Sequence, residues 1–142
     1  MKLQFNSFGL LPPGIHELNE QSMNELLGFT SSRKELIEKG LRPFLRELSA
    51  FKPENIYIDG SFVTDKPIPG DVDGFATARF GDSLHLFLVN EGQRLKRNYR
   101  VDFFPAFLDW EGAGSLTDWM VFFGATRDDP PHAKGIIALT GV

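Results

Sequence analysis

The stretch IYIDGSFVTDKPIPGDVDGF, residues 56–75, decides how the chain is read. Ile56-Tyr57-Ile58 is a β-branched and aromatic run that predicts a strand, and Asp59-Gly60 closes it. Pro67, Pro69 and Gly70 make residues 64–70 a loop, and the alternation from Asp71 to Ala78 predicts a second strand. Asp71 and Asp73, at i and i+2 of that strand, project from one face. Two such carboxylates repel unless a cation sits between them. Hard divalent cations are the usual solution, magnesium above all where phosphates complete its shell. Gly60 lets backbone approach a ligand closely, Ser61 adds a hydroxyl, and a helical turn after Gly60 would aim N–H groups at an anion. A phosphate-sized site beside paired carboxylates is what metal-assisted phosphoryl or nucleotidyl transfer requires. A calcium loop fails on spacing: begun at Asp71, it puts Ala76 where glycine is needed.

Working outward, residues 1–14 contain Gly9, Pro12, Pro13 and Gly14 and read as an extended arm that packs through Phe5, Phe8, Leu10 and Leu11. Leu18, Met23, Leu26 and Leu27 space a helix from Glu17 to about Leu27. A second helix, capped by Ser31 or Ser32, carries Leu36, Ile37, Leu41, Phe44, Leu45 and Leu48 on one face, with Gly40 and Pro43 implying a kink or a division in two. Ser83 to Arg97 fits a helix better than a strand, with Gly92 against it. Tyr99 to Phe107 predicts a strand, Leu116 to Phe123 a short helix and Gly135 to Leu139 a last strand. The expectation is one α+β domain over residues 1–142, a mixed sheet packed with helices.

Composition narrows the function classes. The 142 residues are 42% hydrophobic and include 14 Phe, enough for a packed core. A net charge of −4 excludes a nucleic-acid protein that works by bulk positive charge. The absence of cysteine excludes disulfides, cysteine-ligated zinc and thiol catalysis. No stretch has the length of a membrane span and the N-terminus lacks a signal-peptide pattern, so a soluble cytoplasmic protein with no membrane partner is expected.

The order of apolar strand, Gly60-Ser61, nine residues and Asp71-Val72-Asp73 resembles the signature of the polymerase-beta-like nucleotidyltransferase superfamily. The whole chain resembles, more narrowly, a family of short bacterial nucleotidyltransferase-like proteins through Leu11 to His16, Gly60 to Thr64 with Lys66, and Lys134-Gly135-Ile136. The resemblance implies a third carboxylate on a later strand, and Asp102 occupies that place. It further implies that Asp71, Asp73 and Asp102 ligate two magnesium ions, for which manganese can substitute. Gly60 and Ser61 would hold the phosphates of a nucleoside triphosphate, most readily ATP, and Asp102 would help deprotonate an acceptor hydroxyl. The acceptor expected is a partner protein, as in antitoxins that nucleotidylate a toxin, or an RNA, bound across the open face of the sheet. One departure stands out: Gly74 follows Asp73 where the superfamily has an apolar residue.

Other residues have two readings each. Lys66 and Lys134 are either solvated lysines or phosphate ligands. Asp102 is either catalytic or paired with Arg97 or Arg100. Arg94, Lys96, Arg97 and Arg100 form either an exposed helix face or a groove for triphosphate or polynucleotide. Asp59, which shares a strand face with Tyr57, reads as structural. His16, His85 and His132 lack ligand spacing, and Phe103 to Trp110 reads as core. The competing function is a nucleotide- or partner-binding module that keeps the fold without turnover.

Overall fold

The computed structural model describes residues 2–142; Met1, the first residue of the expected arm, lies outside them. The chain forms one mixed five-stranded sheet with helices on both faces, the expected α+β class. The elements are β1 (Gly14–Asn19), α1 (Glu20–Leu27), α2 (Ser31–Leu36), α3 (Arg42–Ser49), β2 (Ile56–Asp59), β3 (Val72–Ala78), α4 (Ser83–Asn90), α5 (Gly92–Tyr99), β4 (Val101–Phe107), α6 (Leu116–Phe123) and β5 (Gly135–Thr140). Strand order is β1-β5-β2-β3-β4. The β1–β5 and β3–β4 pairs are parallel, whereas β2 runs antiparallel to both β3 and β5. Parallel pairing of β3 and β4 requires a crossover, which α4 and α5 provide.

Several boundaries differ from the sequence reading. The first helix does not start at Glu17: residues through Asn19 pair with β5, and the Asn19 side chain caps α1 by accepting from Ser22 N at 2.7 Å. The arm correspondingly gives Gly14 to β1, and its Leu10 bridges Thr64. The cap of α2 is Thr30 rather than either serine. Between α2 and α3 a π-helical turn, Ile37–Leu41, absorbs the disturbance expected at Gly40 and Pro43 without breaking the helical path. Gly40 faces the Tyr99 carbonyl so closely that a Cβ would collide with it. The Ser83–Arg97 segment is two helices, divided at Glu91-Gly92. Tyr99 ends α5 instead of opening a strand, and Arg100 turns the chain in a left-handed conformation.

One face of the sheet carries Ile58, Val72, Ala76, Val101, Phe103, Ile137 and Leu139 into the main core, beneath α1 to α5. The other carries Tyr57, Phe75, Ala106 and Ile136 against α6, where Phe75 stacks on Tyr57 and Phe123. The open face expected for an acceptor is therefore partly roofed by α6. Phe103 and Ala106 are core as expected, but Trp110 is 53% exposed. Gly74 leaves β3 regular: it pairs with Ile58 and Phe103, and the Phe103 ring lies where a side chain would be. An aromatic ring across a strand glycine restores the missing packing. No helix among the described residues is long and apolar enough to cross a membrane.

Candidate functional site

Strand register builds the site. In-register pairing of β3 with β4 sets Asp102 beside Asp73, on the same face of the sheet. Asp71 lies two residues before Asp73, just ahead of β3. Each of the three offers a carboxylate oxygen within 4.8 Å of the others, and all three are half-buried. The convergence expected of Asp71, Asp73 and Asp102 is thus present.

The β2–β3 pairing adds a fourth group, because Asp59 lies directly across from Asp73. Asp59 does share the face of Tyr57, as expected, but that face is the one carrying the acidic cluster. Its side chain is fully buried and neither oxygen has a hydrogen-bond partner. Burial, and then repulsion from Asp73, push the Asp59 carboxyl up to about 8. Burial, followed by Asp71 and Asp102, pushes Asp73 up to about 6. Four crowded carboxyls, one of them buried and unpartnered, are poorly served by the protein alone. Their donors are all hard oxygens, so the set fits magnesium or manganese.

A cleft of about 370 Å³ adjoins the cluster. Gly60, Ser61, Thr64, Asp73, Phe122, Arg127 and Lys134 are among the residues that line it. Gly60 has φ of 74°, and a Cβ there would collide with the Asp73 carboxylate. The glycine is required by both its backbone conformation and its neighbour. Ser61 sits in the short 3₁₀ turn Gly60–Val63 that follows β2. Lys134 immediately precedes β5; burial lowers its pKa while Asp59 and Asp73 act to raise it. Two cations, Arg127 and Lys134, therefore line the same cleft as the Asp73 carboxylate.

Other expected residues lie elsewhere. Lys66 is exposed and outside the cleft lining; its main-chain carbonyl is what the fold uses, accepting from Arg33 Nε at 2.9 Å. The basic cluster is dispersed. Arg94 holds Glu47 through two bonds of 2.7 and 3.2 Å, and Arg100 donates to the Gly70 carbonyl. Lys96 Nζ lies 3.9 Å from Asp102 Oδ2, so the cation beside Asp102 is Lys96 and not Arg97 or Arg100. Arg127 and Phe122, with the guanidinium 5.1 Å from the ring centre, escaped the sequence reading because α6 and the tail reach the site only through the tertiary fold. Arg33 was missed as well, although a signal existed: an arginine three and four residues before Leu36 and Ile37 falls on the apolar face of its helix.

No curated protein matches the chain, and neither does any solved structure. Residues 3–140 match a family of unknown function, and the chain accordingly belongs to that family, DUF6932.

Proposed function

We propose that this protein is a metal-dependent nucleotidyltransferase that moves a nucleoside monophosphate from a nucleoside triphosphate, ATP foremost, to an acceptor hydroxyl. The observation that carries the reading is the three-carboxylate cluster of Asp71, Asp73 and Asp102, which meets, through Asp73, a cleft that also holds Ser61 and Lys134. A cleft that joins the Asp73 carboxylate to Arg127 and Lys134 suits a ligand that brings cations and phosphates together. Asp71, Asp73 and Asp102 would hold two magnesium ions. Bound there, divalent cations supply Lewis-acid stabilisation of the entering and leaving oxygens.

The chain's own groups do the rest. The Ser61 hydroxyl and the Lys134 ammonium hold and orient the phosphates. Asp102, at the edge of the cluster, accepts the proton of the acceptor hydroxyl as its oxygen bonds to the α-phosphorus. The bond from that phosphorus to the bridging oxygen breaks, and pyrophosphate leaves with the electron pair. Orientation and fixed charge account for most of the rate gain in such a site. A partner protein or an RNA serves as acceptor in this reading, and a cytoplasmic setting belongs to it.

Incubation with labelled nucleoside triphosphates, magnesium and candidate acceptors tests the proposal. Label transfer lost in Asp71→Ala and in Asp73→Ala supports it. Nucleotide binding indifferent to both substitutions and to chelator overturns it. A second reading, a nucleotide-binding module without turnover, draws on one observation: Lys96 places a positive charge 3.9 Å from Asp102, the group that must accept the proton. That reading predicts binding, seen as a stabilisation of about 2.7 kcal/mol at a hundredfold excess over Kd, without transfer.

A further inference from the structure

Arg33 has the least expected surroundings in the molecule. It is fully buried, yet no carboxylate lies within salt-bridge distance of it among the described residues. Its partners are main-chain carbonyls. Nε donates to Lys66 O at 2.9 Å; Nη1 donates to Leu27 O at 3.1 Å and Phe62 O at 2.7 Å; Nη2 donates to Ser61 O at 3.4 Å and Thr64 O at 2.6 Å. All five N–H groups of the guanidinium are thereby used. Four of the five carbonyls belong to the segment from Ser61 to Lys66, which supplies Ser61 and Thr64 to the cleft.

The rings of Phe29 and Phe62 lie 4.4 and 5.3 Å from the guanidinium carbon, completing its enclosure. Thr30, the cap of α2, adds a second tie by accepting from Arg33 N and donating to Pro67 O at 2.8 Å. A segment of this shape lacks the ladder bonds of a strand, so its carbonyls must be satisfied from outside. Only a planar fork with five donors can meet so many at once; a lysine ammonium has three donors on a single atom.

Resting on the transferase reading, we propose that Arg33 is a positioning residue for phosphate binding, holding the Ser61–Lys66 segment so that Ser61 faces the triphosphate beside the acidic cluster. Arg33 does not itself line the cleft. Its effect passes through the main chain of Ser61, whose carbonyl is shared by the guanidinium, the Thr64 amide at 3.3 Å and the Thr64 hydroxyl at 2.7 Å. The carboxylates stand on β3, β4 and the residue before β3, and Arg33 bonds none of them. Metal affinity and triphosphate affinity should therefore separate when Arg33 is changed.

The experiment compares unsubstituted protein with Arg33→Lys and Arg33→Met, using Mn²⁺ alone, Mn²⁺ with a nonhydrolysable ATP analogue, and amide hydrogen exchange without ligand. Arg33→Lys keeps the charge, and it carries the test if Arg33→Met does not fold. Expected are exchange at residues 61–66 faster by roughly tenfold or more with β2 and β3 unchanged. Affinity for the analogue should fall by about ten- to a hundredfold while Mn²⁺ affinity stays within about twofold. Unchanged exchange at 61–66 in a folded variant overturns the proposal, as does faster exchange with analogue affinity intact. Equal loss of Mn²⁺ and analogue binding also overturns it, because the role is then general support of the fold. If the unsubstituted protein binds Mn²⁺ but no analogue, the transferase reading fails and takes this role with it, whatever the exchange data report.

Discussion

The two sides of the Gly60–Val63 turn bury one ionisable side chain each and treat them in opposite ways. On the α2 side, Arg33 is fully buried with five carbonyl partners, and burial, opposed by Asp65, lowers it only to about 10. It keeps its charge at any physiological pH. On the sheet side, Asp59 is equally buried, has no partner and is pushed up to about 8. A charge that serves the fold is saturated with hydrogen bonds, because an unmet buried group costs about 1–3 kcal/mol. A carboxyl left unmet beside three others suggests a place that a ligand completes. The turn lies between a finished polar network and an unfinished one.

The sharpest way to break this contrast is to remove the unfinished side. Asp73→Ala should reduce nucleotidyl transfer by about a thousandfold or more and abolish manganese binding, read by labelled-nucleotide transfer and by titration of the metal. A substitution that leaves both intact removes the basis of the contrast.

Next in size is the finished side. Arg33→Met strands several carbonyls and should cost roughly 3 kcal/mol of stability by urea denaturation. A loss within experimental error would mean that those bonds are replaceable by water.

The pH dependence sharpens the contrast further. Asp73 and Asp59 rise from 3.8 to about 6 and about 8 in the folded protein. Between those limits the folded state retains protons that the unfolded state has released, so stability falls as pH rises through the window. Without metal, Tm should drop from pH 5 to pH 8; with Mn²⁺ the drop should shrink, since the cation replaces the protons. Asp59→Asn should flatten the metal-free profile and gain on the order of 1 kcal/mol at pH 8. A flat profile in the unsubstituted protein would contradict this.

Smallest of all is the control. Lys39 and Glu35 form an exposed i,i+4 pair at 3.3 Å, and Lys39→Ala should change stability by no more than about 0.5 kcal/mol. A larger loss would show that exposed pairs matter more here than the buried groups suggest.

What could be read before the fold was known follows a physical division. The α+β class, β2, β3 and the pairing of Asp71 with Asp73 were legible because each depends on near neighbours: strand alternation, proline and glycine punctuation, and i, i+2 geometry. The Glu17–Asn19 segment was misread as helix because its apolar spacing suits both forms, and only a parallel partner, β5, made it a strand. The split at Glu91-Gly92 was half visible in the glycine. Lys66 is near the motif in sequence as a charge, whereas the fold uses its carbonyl.

Local sequence alone thus determined a compact mixed domain with two carboxylates, Asp71 and Asp73, two residues apart at the start of a strand and a glycine-serine turn nearby, since backbone stereochemistry and period act over a few residues. Tertiary structure alone decided that Asp102 joins them, that Asp59 stands unpartnered across from Asp73, that Arg127 and Lys134 reach the cleft and that Arg33 fastens its turn. Those outcomes depend on strand register and on groups as far apart in the chain as Arg33 and Thr64, and register is set when the whole core packs, not by any one segment.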